Sequence, residues 1–237
     1  MIPRLRMFAG PNGSGKTTLA TWLSTDYAVN LYHYVNADIL YAEVSRYHQT
    51  ACPFDCENDD LTSFVISSTY PDAEKQHFFS NHIRIENEMV LFTPSAINSY
   101  TVAILADFYK TVYLQKQTSF SFETVFSHSS KLEILKLAKQ KNFRTYMYFI
   151  ATEEPSINLE RVLARVQKGG HNVPHDKIIG RYSRCLDNAS QAIPFLHRAF
   201  FFDNSHSQIQ FFAELHEGKW QLYSSNPPVW FVKYFLK

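Results

Sequence analysis

The chain has 237 residues, 23 Lys and Arg against 22 Asp and Glu, and a formal net charge of +1 at pH 7. A near-neutral total gives no global field to draw the protein onto nucleic acid or a membrane, and the length allows one sizeable α/β domain or at most two small ones. Cys52, Cys56 and Cys185 are too few, and odd in number, for a disulfide framework; no apolar run reaches the length of a membrane span, and Met1–Met7 lacks the apolar core of a signal peptide, so a soluble protein of the reducing cytoplasm is expected.

The elements follow one another as short apolar runs alternating with helix-like segments. Leu5–Ala9 predicts a strand that leads into a glycine-rich loop, and Thr17–Leu23 predicts a helix. Leu31–Val35, aromatic and β-branched, predicts a second strand ending at Asn36-Ala37-Asp38. Residues 44–99 have mixed polarity and predict an insertion of helices and loops. Ser119–Phe122 predicts a third strand ending at Glu123-Thr124. Lys131–Gln140 has a helical rhythm in Leu132 and Leu135. Thr145–Ala151 predicts a fourth strand, Ile157–Val166 a helix, and Ala199–Phe202 a fifth strand ending at Asp203-Asn204-Ser205. Beyond it, 207–237 is an aromatic extension in which Gly218 turns a hairpin between Phe211–His216 and Trp220–Tyr223, and Pro227-Pro228 breaks regular structure. Strands alternating with helices predict an α/β fold with a parallel sheet flanked by helices, organised as a single domain over 1–237. In such sheets ligands gather at the carboxyl ends of the strands.

One motif there carries strong chemistry. Gly10-Pro11-Asn12-Gly13-Ser14-Gly15-Lys16-Thr17 fits G-x-x-x-x-G-K-[ST] at every fixed position. Glycines let successive backbone N–H groups turn inward on phosphate oxygens, and the following helix adds the positive end of its dipole. Lys16 reaches the β- and γ-phosphates and the Thr17 hydroxyl ligates Mg²⁺, with Thr18 beside it, so the loop is read as a site for ATP or GTP.

The remaining candidates have two readings each. Asp38, expected on a strand beside the P-loop strand, is either a base for an acceptor hydroxyl or a helix N-cap. Glu123 and Thr124, with His128 after them, form a substrate-side group, in which the glutamate takes substrate hydroxyls or water on Mg²⁺; the bland alternative is an acid at a helix start. Arg161 and Arg165 share a helix face. With Arg181 and Arg184 they flank Gly169-Gly170-His171, as a lid that closes over transferring phosphate would require; a solvated helix face is the alternative. His48, Cys52 and Cys56 have metal-like spacing but no second Cys pair, which favours packing or loop roles.

Taken together, these stretches resemble the zeta toxin family of P-loop kinases, in the branch described as predicted ATPases or kinases. The resemblance rests on Met7–Leu19, Asn36-Ala37-Asp38, Ser119-Phe120-Ser121-Phe122-Glu123-Thr124, Arg161-Val162 with Arg165-Val166, Gly169–Pro174, Lys177-Ile178, Arg181-Tyr182 and Phe202-Asp203-Asn204-Ser205. It implies a P-loop kinase fold and transfer of the γ-phosphate of ATP, with Mg²⁺, to a sugar hydroxyl of a nucleotide sugar such as UDP-N-acetylglucosamine. It also implies a toxin with a small antitoxin partner. In that resemblance Asp38 matches the base, Glu123 and Thr124 the substrate-side motif, and Arg161 with Arg165 the lid. A nucleotide-dependent switch acting through a protein partner, and a polynucleotide kinase, are the competing functions; the neutral charge counts against nucleic acid as a partner.

Overall fold

The computed structural model describes residues 2–80, 83–167 and 173–236. In chain order the elements are β1 (Arg4–Ala9), α1 (Lys16–Asp26), β2 (His33–Val35), α2 (Ala37–Tyr47), β3 (Gln49–Ala51), α3 (Asn58–Ser67), α4 (Asp72–Ser80), β4 (Arg84–Glu86), β5 (Met89–Leu91) and α5 (Ser99–Gln115). They continue with β6 (Phe120–Thr124), α6 (Ser130–Gln140), β7 (Arg144–Ala151), α7 (Pro155–Gln167), α8 (His175–Ala192), β8 (Arg198–Asp203), β9 (Gln210–His216), β10 (Lys219–Leu222) and α9 (Val229–Phe235). The chain divides into two compact units, Met1–His33 with Ser119–Lys237, and Tyr34–Thr118.

The larger unit is built on strands adjacent in the order β10-β9-β8-β7-β1-β6. β6, β1, β7 and β8 run parallel, and β9 and β10 complete the sheet antiparallel. One face carries Leu5, Met7, Phe120, Phe122, Met147, Phe149, Ala199 and Phe201, all fully buried. Helix α9 seals this face: Trp230 and Phe235 meet Phe149 at 5.7 and 5.8 Å, and Phe231 meets Phe201 at 5.1 Å. Helix α8 packs on α6, α7 and α9. Each buried aromatic ring removes on the order of 2 kcal/mol worth of apolar surface from water, so this face forms the unit's core.

Several sequence expectations changed on folding. The expected neighbourhood of β2 and the P-loop strand fails: β1 pairs with β6 along one edge and with β7 along the other, and a strand has only two edges. Glu123, Thr124 and Asp203 lie within their strands rather than after them. Gly218, at φ +78°, turns the β9–β10 hairpin as expected, but the Pro pair does not end regular structure, because Pro228 starts α9 at a backbone angle a proline already holds.

The smaller unit holds the segment expected as helices and loops. It also contains a three-stranded antiparallel sheet in the order β3-β5-β4. Helix α5 is its spine, with Ile104, Leu105 and Phe108 buried. Asn98 starts α5 by accepting from the N–H groups of Tyr100 and Thr101, while the Thr101 hydroxyl is positioned for the reciprocal bond from the Asn98 N–H. Within the same unit, Asn36 accepts from the N–H groups of Asp38 (2.9 Å) and Ile39 (3.3 Å) and so caps α2.

Candidate nucleotide site

Strand β1 delivers Gly10 at its carboxyl end, and the loop from Gly10 to Gly15 leads directly into α1. Two glycines there are dictated by conformation and space together. Gly13 has φ +76°, and a Cβ on it would stand 2.4 Å from the Asn158 carbonyl oxygen of α7. Gly15, the first residue flanking α1, has φ +99°, and its Cβ would stand 2.6 Å from Asn204 Nδ2. Any side chain at either position meets both left-handed strain and a collision. The loop is thus pressed between α7 and the end of β8.

Asn204 fixes this arrangement. Its backbone N–H donates to the Ala151 carbonyl at 2.9 Å, which anchors it to the end of β7. Its side-chain amide donates to the Ser14 carbonyl at 2.8 Å. Asp203 beside it accepts from the Ser205 N–H and hydroxyl and from the indole N–H of Trp230, so α9 helps hold the loop that carries Asn204. Ser205 in turn accepts from the Glu153 N–H at 2.8 Å.

The lysine and the threonine of the motif are already oriented. Lys16 Nζ donates to the carbonyls of Gly10 (3.0 Å) and Pro11 (2.8 Å), curling back over the loop. The Thr17 hydroxyl donates to Glu123 Oε2 at 3.0 Å, from the adjacent strand β6. A hydroxyl and a carboxylate in contact are a pair of hard oxygen donors, the kind Mg²⁺ takes.

Buried polar atoms without a hydrogen-bond partner test whether this cradle fits a ligand. Among the described residues they are Asn12 Oδ1, Ser14 Oγ, Asn158 Nδ2, Arg161 Nη1, Arg6 Nε and Arg198 Nε. The first four belong to the loop and to α7, whose Asn158 backs the loop. Burying such atoms unpaired costs about 1–3 kcal/mol each, and concentrating them at a phosphate-binding motif is what a site completed by a polar ligand would show. Three of the four, Ser14 Oγ, Asn158 Nδ2 and Arg161 Nη1, are donors, and with Lys16, Thr17 and Glu123 they fit a nucleotide phosphate chain and its Mg²⁺; Asn12 Oδ1 is an acceptor and does not pair with phosphate oxygen.

The other sequence candidates separate. Arg161 sits half-buried on α7, its Nη2 donating to the His206 carbonyl at 3.3 Å and its Nη1 unsatisfied, whereas Arg165 is exposed one turn on. The Thr124 hydroxyl accepts from the Phe126 N–H at 3.0 Å, shaping the turn out of β6. His128 Nδ1 takes the Ser130 N–H at 3.2 Å at the start of α6, a capping role. Thr18 is exposed on α1 and Asp38 is exposed at the start of α2, where Asn36 rather than Asp38 provides the cap. Gly169-Gly170-His171 lie outside the described residues. In the smaller unit Cys52 is buried, and its thiol is pushed up to about 12, first by burial and then by Cys56. Among the described residues no group of three or more His, Cys, Asp or Glu is arranged to hold a metal ion.

Asn12 lies in the glycine-rich loop that the sequence marks as nucleotide-binding, whereas Asn158 and Asn204 join it with no individual role legible in the sequence. The signal for Asn204 was present in the polar run Asp203-Asn204-Ser205 at a strand end. Asn158 had none, since a polar residue one turn into a helix reads as surface until the loop packs on it. Beneath the site, fully buried Cys185 on α8 has its thiol pushed up by burial, partly offset by the charge of Lys16, and the Tyr182 hydroxyl donates to the carbonyls of Thr152 and Glu153.

No family model matches the sequence. An uncharacterized protein of Haemophilus influenzae is 32% identical over 69 residues, which are 29% of this chain and 49% of that protein, so the match spans about half the relative's length. Among solved structures, the complex of AvrRxo1-ORF1 with AvrRxo1-ORF2 and sulphate ions matches at TM-score 0.58 and 14% identity, over 94% of this chain and 62% of that one. The same pair with ATP matches at TM-score 0.58 and 15% identity, over 94% and 61%. A structure from the PezAT chromosomal toxin-antitoxin system of Streptococcus pneumoniae matches at TM-score 0.54 and 12% identity, over 99% and 79%. At these identities the likeness is one of fold: the chain has the α/β P-loop kinase fold that its sequence implied.

Proposed function

We propose that this chain is an ATP-dependent kinase of zeta toxin type, acting on a hydroxyl of a small molecule, with a nucleotide sugar such as UDP-N-acetylglucosamine as acceptor. The observation that carries the reading is the loop itself: Gly13 and Gly15 tolerate no side chain, Lys16 is curled over the loop, and the buried donors Ser14 Oγ and Arg161 Nη1, in the loop and on α7, lack partners. Loop N–H groups and Lys16 bind the β- and γ-phosphates. Thr17 and Glu123 hold Mg²⁺, which when bound offsets phosphate charge. Arg161 presents its unsatisfied Nη1 to charge that grows on the transferring group. In the transfer, the bond from the γ-phosphorus to the bridging oxygen breaks and ADP leaves. The acceptor oxygen bonds to phosphorus, and its proton passes to Asp38, the base assigned by the sequence resemblance.

A structure related in fold is a complex with ATP, and two of the related systems consist of paired components, one described as toxin-antitoxin. They support ATP as donor and an antitoxin as partner for this chain. The test is to incubate the protein with labelled ATP, Mg²⁺ and a panel of sugar nucleotides, nucleosides and RNA ends. Transfer of label to UDP-N-acetylglucosamine, lost in Lys16→Ala, is the expected result. Transfer to another acceptor retains the kinase and replaces the substrate. Slow hydrolysis alone would turn the reading to a nucleotide-dependent switch.

A further inference from the structure

The sheet of the larger unit has a second face that differs from its core face in composition and cover. Cross-strand register places Arg4, Arg6 and Phe8 of β1 beside Arg144, Tyr146 and Tyr148 of β7. These stand beside Arg198, Phe200 and Phe202 of β8. Toward the carboxyl ends this face is closed, with Phe8, Tyr148 and Phe202 buried. Over β8, β9 and β10 it opens: Phe211 is 39% and Tyr223 52% exposed, and Lys219 and Gln221 are exposed. Phe211 packs on Phe202 at 5.4 Å and on Tyr223 at 5.0 Å, giving a continuous aromatic strip that ends at the sheet margin.

Arginine guanidinium groups frame the strip. Arg198 lies 4.9 Å over the Phe200 ring, and Arg6 lies over the rings of Tyr32 (4.9 Å) and Tyr146 (5.6 Å). Arg4 donates to the Tyr32 hydroxyl at 2.9 Å, an uncharged partner. Among the described residues, Arg6 Nε and Arg198 Nε are the two buried unsatisfied atoms that do not belong to the nucleotide site. Against Arg4, Arg6, Arg144, Arg198 and Lys219, the described residues of β1 and β7–β10 set one carboxylate on this face, Glu214, paired with Arg198 at 2.8 Å; Glu217 lies in the hairpin turn. Glu123, on the same face, is at its far end and belongs to the nucleotide site. The cationic excess is felt by His197, whose imidazole is held below its usual range first by burial and then by Arg144.

We infer that this aromatic and arginine-rich sheet face docks an acidic amphipathic segment of a partner protein, with apolar side chains on Phe200, Phe211 and Tyr223 and carboxylates on Arg144 and Arg198. Charge complementarity selects this occupant. A second copy of the chain meeting the first through the same patch would bring arginines against arginines, which is repulsive. Single-stranded nucleic acid needs open ring planes on which bases stack. Here Phe8, Tyr148 and Phe200 are stacked on one another at 4.8 and 5.0 Å with interplanar angles of 13° and 16°, so their planes face each other. Their electropositive edges are turned away from one another's faces. Of the three rings only Phe200 is not buried, and with the Arg198 guanidinium 4.9 Å over it that ring suits an aliphatic side chain beside a carboxylate.

The probe is a labelled amphipathic helical peptide of about 16 residues, Leu and Phe on one face and Glu on the other, titrated onto the full chain by fluorescence anisotropy. The expected result is saturable binding. Replacing every Glu of the peptide by Gln should weaken it about tenfold or more, and so should Tyr223→Ser or Arg144→Glu in the protein. Neither substituted residue touches the nucleotide loop, so ATP affinity serves as the control for folding. Equal binding of the Glu and Gln peptides, binding unaffected by both protein substitutions, or no binding of the Glu peptide at about 100 μM each overturns the inference. So does a single-stranded RNA that binds the face more tightly than the peptide, or a dimer in sedimentation that Arg144→Glu strengthens.

Discussion

Removing the side-chain amide of Asn204 isolates the tie between β8 and the phosphate loop. In Asn204→Ala the Ser14 carbonyl loses the donor at 2.8 Å, while the backbone bond from residue 204 to Ala151 stays. Asn204 is half-buried, so water can replace part of what is lost, and the global stability should fall by only about 0.5–1.5 kcal/mol. ATP binding should fall further, because the loop must be held in one conformation for its N–H groups to converge. We expect ATP affinity to drop by about 1–2 kcal/mol, roughly five- to thirtyfold. Asn204→Asp is the sharper perturbation. It keeps the shape but sets a carboxylate oxygen against the Ser14 carbonyl and adds a negative charge near the phosphates. At an effective dielectric of about 20, a nearby like charge adds on the order of 2 kcal/mol. The order of ATP affinity should therefore be Asn above Ala above Asp, measured by titration calorimetry beside urea unfolding of each variant. Asn204→Asp binding ATP as tightly as the wild type, with the fold intact, would refute the reasoning.

Three further outcomes are expected. Gly13→Ala must place its Cβ 2.4 Å from the Asn158 carbonyl at φ +76°; stability should fall by at least about 2 kcal/mol by denaturant titration, with ATP binding lost. Asn36→Ala should destabilise the smaller unit by about 1 kcal/mol as a lost cap, whereas exposed Asp38→Asn should change unfolding by less than about 0.5 kcal/mol yet lower phosphoryl transfer about a hundredfold; a stability loss from Asp38→Asn equal to that of Asn36→Ala would make Asp38 structural. Arg161→Ala should lower the rate of transfer more than ATP affinity, and should do so more than Arg165→Ala, since Arg161 carries the buried unsatisfied Nη1; equal rates for both variants in single-turnover assays would remove Arg161 from the site.

The sequence by itself determined the phosphate loop and the parallel part of the sheet. A P-loop is a contiguous motif, so its chemistry is written in adjacent letters, and Leu5–Ala9, Thr145–Ala151 and Ala199–Phe202 were legible as strands because each is apolar and long enough to show a pattern. The order of those strands was not legible. That Glu123 stands beside the loop follows from β1 pairing with β6 and β7, a choice made by packing over more than a hundred residues of sequence separation. The three-residue strands β3, β4 and β5 are too short to display a period, and α9 hid behind Pro227-Pro228 because prolines read as breakers unless the next segment has a core to enter. Trp230, Phe231 and Phe235 had one in the rings of Phe149 and Phe201. Asn158 and Asn204 became site residues only when α7 and the end of β8 closed on the glycine loop. Their side chains and backbone act across the fold, on atoms far away in the sequence, and no local spacing records such a contact.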